Sequence, residues 1–252
     1  MNLKKLVVDE FSGENAQKLY SKMAFEGFWD SEKIMINKYF KKPKTTKLLD
    51  LGCGTGRTTI PLKKMGFDLV GVDLTPEMIK SAKKIDKSLN QKIDYRVGDA
   101  TNLDFKDDSF DYVLFSNNGW SQIPGKDNRA KALLEIKRVL KKGGVFLFTT
   151  HQRKMKGFTW FWIKSWFRVR VLKLFGFEIW EQDFGDRFFD RERQSGKRVY
   201  VTKQFIHIPS VNEVKKSLSK AGFEVLAVKT DLDPHRNRPT LVPPAFYAVK
   251  KP

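Results

Sequence analysis

Residues 49–56 read Leu-Asp-Leu-Gly-Cys-Gly-Thr-Gly, and this stretch decides the fold. The apolar run at 47–51 predicts a buried strand that stops at the first glycine. Glycines at 52, 54 and 56 allow a sharp turn off the strand tip and leave bare backbone for a ligand. A helix predicted over 57–65 then points its N-terminal N–H groups at the same crevice. This order indicates an α/β fold with a ligand site beyond the strand tips.

Strands and helices alternate along the rest of the chain. Further strands are predicted at 68–73, 93–97, 110–116, 145–150, 223–229 and 245–250. Further helices are predicted over 76–88, 127–141 and 211–221. The helix over 127–141 is expected to end at Lys-Lys-Gly-Gly, 141–144, with a glycine C-cap. The alternation predicts an α/β fold with a seven-stranded, mostly parallel sheet flanked by helices on both faces.

The glycine spacing argues against two other nucleotide-binding folds. The dinucleotide fingerprint G-x-G-x-x-G needs a small residue at position 57, where this chain has Arg57. The pattern G-x-x-x-x-G-K-[ST] of nucleotide triphosphatases does not occur in the sequence.

An ordered set of short motifs resembles the class I S-adenosylmethionine-dependent methyltransferase family. The motifs are Leu-Leu-Asp-Leu-Gly-Cys-Gly-Thr-Gly at 48–56, Val-Gly-Val-Asp-Leu at 70–74, Gly-Asp-Ala at 98–100, Phe-Asp-Tyr-Val at 110–113 and Leu-Lys-Lys-Gly-Gly at 140–144. The resemblance covers 45–151 well and 205–251 loosely. It implies a Rossmann-like fold, S-adenosyl-L-methionine as cofactor, and methyl transfer as the activity.

The resemblance also implies which residues bind the cofactor. Asp73 is expected to accept hydrogen bonds from the ribose hydroxyls, and Asp99 from the adenine amino group beside the Ala100 backbone. Simple capping of the strand ends is the alternative for both carboxylates. The other cofactor-binding candidates are Asp50 as a nearby negative charge, the turn residues Gly52, Cys53, Gly54 and Gly56, Leu74 and Met78 around the adenine, and Asn117. Core packing is the alternative for Met78, and Cys53 is interpreted as a small turn residue, not as a nucleophile.

His151 is the candidate general base, because it ends the fifth predicted strand on the crevice side. The alternative is a polar residue that merely ends a strand. The three histidines and one cysteine show no metal-ligand spacing, so no metal is predicted.

Two segments lie outside the family core. Residues 11–40 are aromatic and helical in pattern, and the resemblance implies that 1–44 form a helical cover over the cofactor. Residues 152–204 form an insertion with four of the six tryptophans, and 152–175 hold seven Lys or Arg and no acidic residue. Part of 152–175 has helical periodicity and 167–171 alternates like a strand. A lid over the acceptor, a membrane-surface segment and an RNA-binding segment are the three interpretations.

Length and composition bound the remaining choices. With 252 residues and no Gly/Ser-rich or Pro-rich linker, the chain is expected to form a single domain, with 205–252 completing the core of 45–151. One cysteine excludes an intrachain disulfide, and no apolar run is long enough for a signal peptide or a membrane span. A cytoplasmic location is expected, with a membrane-peripheral one as the alternative.

The net charge of +19 leaves the partner open. RNA, an anionic membrane surface, an acidic substrate and a lysine-rich surface without a polyanionic partner all agree with it.

We predict a methyltransferase for a small-molecule acceptor, apolar or lipid-like. An RNA methyltransferase is the first alternative, although Ser-Asn-Asn-Gly-Trp at 116–120 lacks the Asp/Asn-Pro-Pro-Tyr/Phe pattern of amino-methylating enzymes. A non-catalytic cofactor-binding regulator is the second. The sequence does not predict the oligomeric state.

Overall fold

The computed structural model describes residues 2–41, 43–195, 198–232 and 242–252, and the elements below lie in these ranges. The α-helices are α1 (Leu3–Ser12), α2 (Glu14–Met23), α3 (Asp30–Tyr39), α4 (Thr59–Lys64), α5 (Pro76–Leu89), α6 (Lys126–Val139), α7 (Thr159–Arg170) and α8 (Val211–Lys220). The strands are β1 (Lys47–Leu51), β2 (Asp68–Asp73), β3 (Asp94–Val97), β4 (Phe110–Phe115), β5 (Leu140–Thr150), β6 (Asp186–Ser195), β7 (Arg198–His207), β8 (Glu224–Lys229) and β9 (Ala245–Lys250). Short 3-10 helices occupy Pro43–Thr45, Gly119–Gln122 and Leu172–Phe175.

Seven strands form one sheet in the order β3-β2-β1-β4-β5-β9-β8. Strands β1 to β5 pair in parallel, whereas β9 runs antiparallel to both β5 and β8. The predicted seven-stranded, mostly parallel sheet is confirmed. Because β1 lies at the centre of the parallel strands, the glycine turn that follows it opens at the middle of one sheet edge.

Successive residues of the strands face opposite sides of the sheet, and each side has its own core. Leu49 belongs to a buried cluster with Leu133 of α6 and Leu218 of α8. Its neighbour Leu48 belongs to a second cluster with Ile36 of α3 and Ile79 of α5. The sheet is therefore covered on both faces, as its apolar strands require.

The predicted end of α6 is wrong. The helix ends at Val139, and residues 140–144 belong to β5 instead of a glycine C-cap. Buried Leu140 pairs with Phe110 of β4, and the register is irregular before the next pair, Tyr112 and Val145. Gly143 has φ +77° in this irregular stretch, and its N–H donates to the Lys251 carbonyl. Strand pairing over a buried leucine outweighs the local helix-ending signal.

The insertion contains a helix and a hairpin. Residues 159–170 are helical, so the strand-like alternation at 167–171 does not produce a strand there. The hairpin of β6 and β7 was not predicted. At its base the buried His207 ring contacts Asp186 Oδ1 at 2.7 Å and Glu213 Oε1 at 2.8 Å. Because Glu213 lies on α8, these polar contacts fix the hairpin to the core.

The first two helices pack against α5 and β7, at the edge where the strands end. Ser12 donates to Glu77 at 2.9 Å, and Ser81 donates to Gln17 at 2.7 Å. None of the helices in the described ranges is long and apolar enough to cross a bilayer.

Candidate active site

A cavity of about 230 Å³ lies at the carboxyl ends of β1, β2, β3 and β4. Eight of the twelve predicted site residues line it: Gly52, Gly54, Asp73, Leu74, Met78, Asp99, Ala100 and Asn117. The other four, Asp50, Cys53, Gly56 and His151, are not among the lining residues. The cavity also takes part of its wall from α1 and α2, through Lys4, Val7, Phe11 and Tyr20.

The Asp73 carboxylate is held in one orientation by the backbone around it. Its Oδ2 accepts from the Gly54 N–H at 2.9 Å, and its Oδ1 accepts from the Thr75 N–H at 2.8 Å. Burial raises the pKa of Asp73, and these hydrogen bonds oppose the rise. Since a carboxylate oxygen can accept two hydrogen bonds, each oxygen keeps capacity for a ligand hydroxyl.

The Asp99 carboxylate carries a second, different set of partners. Its Oδ1 accepts from the Thr101 N–H at 2.9 Å, and its Oδ2 pairs with the Lys4 ammonium at 2.5 Å. Burial acts to raise the pKa of Asp99, but the hydrogen bonds from Lys4 and Thr101 hold it below its ordinary value. Asp99 is therefore an ionised acceptor on the cavity wall. It lies just beyond the end of β3, and Asp73 lies at the end of the neighbouring strand β2.

The three glycines of the turn have different reasons to be glycine. All have positive φ, which favours glycine. A Cβ on Gly52 would lie 2.6 Å from the Phe115 ring, and one on Gly56 would lie 2.6 Å from the Tyr95 hydroxyl. A Cβ on Gly54 would meet no atom within 4 Å, because Gly54 faces the cavity. Gly54 is thus the position where a ligand can touch bare backbone.

Asp50 lies beneath the turn, fully buried. Its Oδ2 accepts from the hydroxyls of Thr58 and Thr59, both at 2.7 Å. Its Oδ1 has no hydrogen-bond partner among the described residues. Burial raises the pKa of Asp50 to about 6. The carboxyl therefore supports the turn from below and keeps one oxygen with unused capacity.

Cys53 and His151 are not among the residues that line the cavity. Burial raises the pKa of the Cys53 thiol well above its ordinary value, which fits a packed turn residue and not a thiolate nucleophile. Burial lowers the pKa of His151 to about 4, so its imidazole is neutral at physiological pH and weakly basic. His151 does not line the cavity, although its backbone N–H donates to the hydroxyl of Ser121, the neighbour of lining residue Gln122. Its role as general base stays a prediction.

A buried ion pair behind the cavity was missed by the sequence analysis. Glu32 of α3 and Arg57 of the glycine turn form a bidentate pair with two contacts of 2.6 Å. Glu32 also accepts from the hydroxyl of Ser116, a lining residue, and the Arg57 guanidinium stacks 4.1 Å from the centre of the Trp29 ring. This network joins the N-terminal helices to the glycine turn and to the end of β4. In the sequence, the charged residue at position 57 was the one indication of this network.

The end of the cavity beyond β4, which we call the acceptor end, is formed by Phe115, Gly119, Gln122, Ile123, Pro124 and Asn128. None of these described residues is ionisable. The ionisable side chains of the cavity lining, Lys4, Tyr20, Asp73 and Asp99, belong to α1, α2 and the ends of β2 and β3. The cavity thus has a polar, charged end and a neutral, partly apolar end.

Known proteins resemble this chain in sequence and in fold. Residues 49–148 match the family model described as a methyltransferase domain. The demethylmenaquinone methyltransferase of Lactiplantibacillus plantarum is 31% identical over 183 residues, which are 70% of this chain and 70% of that protein. The demethylmenaquinone methyltransferase of Leptospira interrogans is 27% identical over 234 residues, 87% of each chain. The crystal structure of a S-adenosylmethionine-dependent methyltransferase from Methanosarcina mazei superposes with a TM-score of 0.66 at 20% identity, covering 86% of this chain and 96% of the other.

The sheet order, the glycine turn at the tip of β1 and the carboxylates at the ends of β2 and β3 define a nucleotide-cofactor-binding α/β enzyme. Together with these similarities, they show that the chain belongs to the class I S-adenosylmethionine-dependent methyltransferases. Its cofactor is S-adenosylmethionine, and its fold is the Rossmann-like fold of that family.

The residues of the charged end fit this cofactor. The two carboxylates supply acceptors for hydroxyl and amino groups. The open face of Gly54 leaves room for close backbone contact, and the unpartnered Asp50 oxygen adds negative charge under the turn. A ligand with a sulfonium and an ammonium suits a site whose buried charges are mainly acidic.

Proposed function

We propose that this methyltransferase acts on a small, uncharged, apolar acceptor of the quinone type. The observation that carries the proposal is the neutral acceptor end of the cavity, which offers no counter-charge to an ionic substrate. Relatives that share 70% to 87% of their length with this chain are demethylmenaquinone methyltransferases, which supports the same acceptor class.

The chain's own residues would orient the two reactants. Asp73 would accept from the ribose hydroxyls and Asp99 from the adenine amino group, with Ala100, Leu74 and Met78 around the base. Gly52, Gly54 and Asn117 would contact the methionine part, while Cys53, Gly56 and Asp50 would support the turn from behind. Fixed alignment of the reacting atoms contributes about 7–11 kcal/mol to catalysis of such displacements.

The bound cofactor supplies a methyl group on a sulfonium, which is transferred by in-line displacement. An electron-rich acceptor atom is needed, and the reduced dihydroxy form of a quinone is richer in electrons than the quinone. With no ionisable side chain among the residues of the acceptor end, a proton lost by the acceptor would leave through water.

Radiolabelled methyl transfer tests the proposal. The protein is incubated with methyl-labelled S-adenosylmethionine and, separately, a short-chain demethylated naphthoquinol, the oxidised quinone, a carboxylated analogue and bulk transfer RNA. We expect labelled product from the naphthoquinol alone, and much less of it from an Asp73→Asn variant at the same cofactor concentration. Transfer to RNA or to the carboxylated analogue, with no transfer to the naphthoquinol, would refute the acceptor class while leaving the methyltransferase activity intact.

A further inference from the structure

Helix α7 is apolar on two opposite sides. Its buried side carries Trp162 and Val169, with the small side chain of Ser165 between them. The Trp162 indole N–H donates to the Lys154 carbonyl at 2.9 Å, and its ring packs edge-on against Phe184, which fixes the helix to the rest of the insertion. A helix of a globular protein ordinarily turns a polar face to water on the other side.

The opposite side of α7 carries Trp160, Ile163 and Phe167, which we call the outer stripe. Their spacing along the helix is the same as that of the buried residues, displaced by about half a turn. All three side chains are exposed, and 76% of the Trp160 surface is accessible to solvent. The apolar surface continues into the 3-10 helix that follows, where Leu174 is 84% exposed and Phe175 is 77% exposed. A contiguous group of large exposed apolar side chains marks an interaction site.

Cations surround the outer stripe. Residues 152–175 contain seven Lys or Arg and no acidic residue. Two of the cations are paired, Arg153 with Glu213 at 2.7 Å and Arg168 with Glu181 at 3.0 Å. In the part of the chain that the structure describes, the other five form no ion pair: Lys154, Lys156, Lys164, Arg170 and Lys173. The surface thus combines apolar area with unneutralised positive charge.

We propose that α7 and the 3-10 helix dock on an anionic lipid surface, with the outer stripe and Leu174 and Phe175 inserted among the acyl chains. Amphipathic segments of aromatic and aliphatic residues flanked by Lys and Arg bind at such interfaces. Two alternatives fit less well. RNA would stack on the aromatic rings but would leave aliphatic Ile163 and Leu174 without a partner. A second copy of the chain, meeting this surface symmetrically, would bring two sets of unpaired cations together.

Helix α7 is linked to the acceptor end of the cavity through the segment that follows it, since Trp162 packs against Phe184, the neighbour of Asp183. Beyond α7, Asp183 pairs with Arg129 of α6 at 2.8 Å. The same Arg129 guanidinium donates to the carbonyl of Ile123, which lines the acceptor end. A lipid-dissolved acceptor would then approach the cavity from its neutral side, the side to which α7 is linked. This last step depends on the proposed function, but the lipid contact itself does not.

Vesicle flotation tests the contact without any acceptor. The full chain is mixed with phosphatidylcholine vesicles, with and without about one-third phosphatidylglycerol. We expect native protein to float with the anionic vesicles and to lose affinity for them as salt is raised. The variant Trp160→Ser/Ile163→Ser/Phe167→Ser should bind them at least about tenfold more weakly, since each side chain contributes apolar area to insertion.

A matched control removes exposed apolar side chains elsewhere, as Ile34→Ser/Leu134→Ser on α3 and α6. It should bind vesicles like the native protein, and both variants should bind S-adenosylhomocysteine normally. If the stripe variant unfolds, Lys164→Gln/Arg170→Gln takes its place and should weaken binding to the anionic vesicles only. Equal flotation of stripe and control variants would overturn the proposal. So would binding to a single-stranded RNA oligonucleotide without binding to vesicles.

Discussion

Removal of either partner of the Glu32–Arg57 pair should cost much of the stability of this protein. Both side chains are buried, with 2% and 9% of their surface exposed, and they share two contacts of 2.6 Å. Loss of one partner leaves the other charge buried without compensation, which costs about 3–5 kcal/mol of unfolding free energy. For a chain of this size, such a loss lowers the melting temperature by about 10 °C.

The assay is urea unfolding of four proteins: native, Glu32→Gln, Arg57→Met and the double variant. The double variant removes both buried charges, so its loss should be well below the sum of the two single losses. Glu14→Gln is the control, because Glu14 pairs with Lys18 on an exposed face of α2 and should not change the unfolding free energy measurably.

Two results would refute this reasoning. One is a single-variant loss below about 1 kcal/mol, which is typical of a surface pair. The other is strict additivity in the double variant, since residues that do not interact give additive losses. A further consequence can be read from cofactor binding: because the pair holds α3 against the glycine turn, the single variants should also bind S-adenosylhomocysteine more weakly.

Three more predictions concern the cavity and its surroundings. Asp73→Asn should weaken S-adenosylhomocysteine binding in calorimetry by about 10- to 100-fold, since hydrogen bonds to a charged group contribute about 1.5–3 kcal/mol each. The control Asp68→Asn, at the exposed start of β2, should have no effect on binding. Gly54→Ala should also weaken binding, because its methyl group would enter the cavity. The control Gly13→Ala, in open space with φ −64°, should leave binding unchanged. Equal binding by both variants would contradict the placement of the ligand. The third is a pH effect on the ligand-free protein. The pKa of Asp50, raised to about 6, makes stability fall as pH rises from about 4 to about 6; the pKa of His151, lowered to about 4, makes stability fall as pH drops from about 6.5 to about 4. Each group contributes about 3 kcal/mol to the free energy of unfolding, and the two effects nearly cancel in the native protein. Between pH 4 and 6.5, the unfolding free energy of Asp50→Asn should therefore rise with pH, and that of His151→Gln should fall. The same pH slope in both variants would exclude this explanation.

Local sequence patterns predicted the parts of the site that depend on strand ends. Asp73 ends one short predicted strand and Asp99 follows the next, and the carboxyl ends of parallel strands meet at one sheet edge. The topology and these two positions therefore followed from alternation and motif order. The assignment of cofactor roles to individual residues remains a prediction.

Contacts between distant segments could not be predicted in this way. Lys4 reaches Asp99 across 95 positions, and Glu32 reaches Arg57 across 25 positions. No periodicity encodes such pairs, because each partner taken alone is an ordinary charged residue on a helix or turn. The predicted end of α6 was wrong for a related reason. The glycines after Val139 signal a helix cap locally, while the pairing of Leu140 with Phe110 is a tertiary effect.

The place of β9 in the sheet has a consequence for biosynthesis. Its six residues, Ala245–Lys250, lie between β5 and β8, and β5 is about a hundred positions earlier in the chain. Until β9 has been translated, the outer edge of β5 exposes unpaired backbone next to Phe146 and Phe148, which are fully buried in the finished fold. Such an edge is a template for pairing with other nascent chains. Premature termination shortly before residue 245 should therefore yield insoluble aggregates and not a smaller soluble methyltransferase.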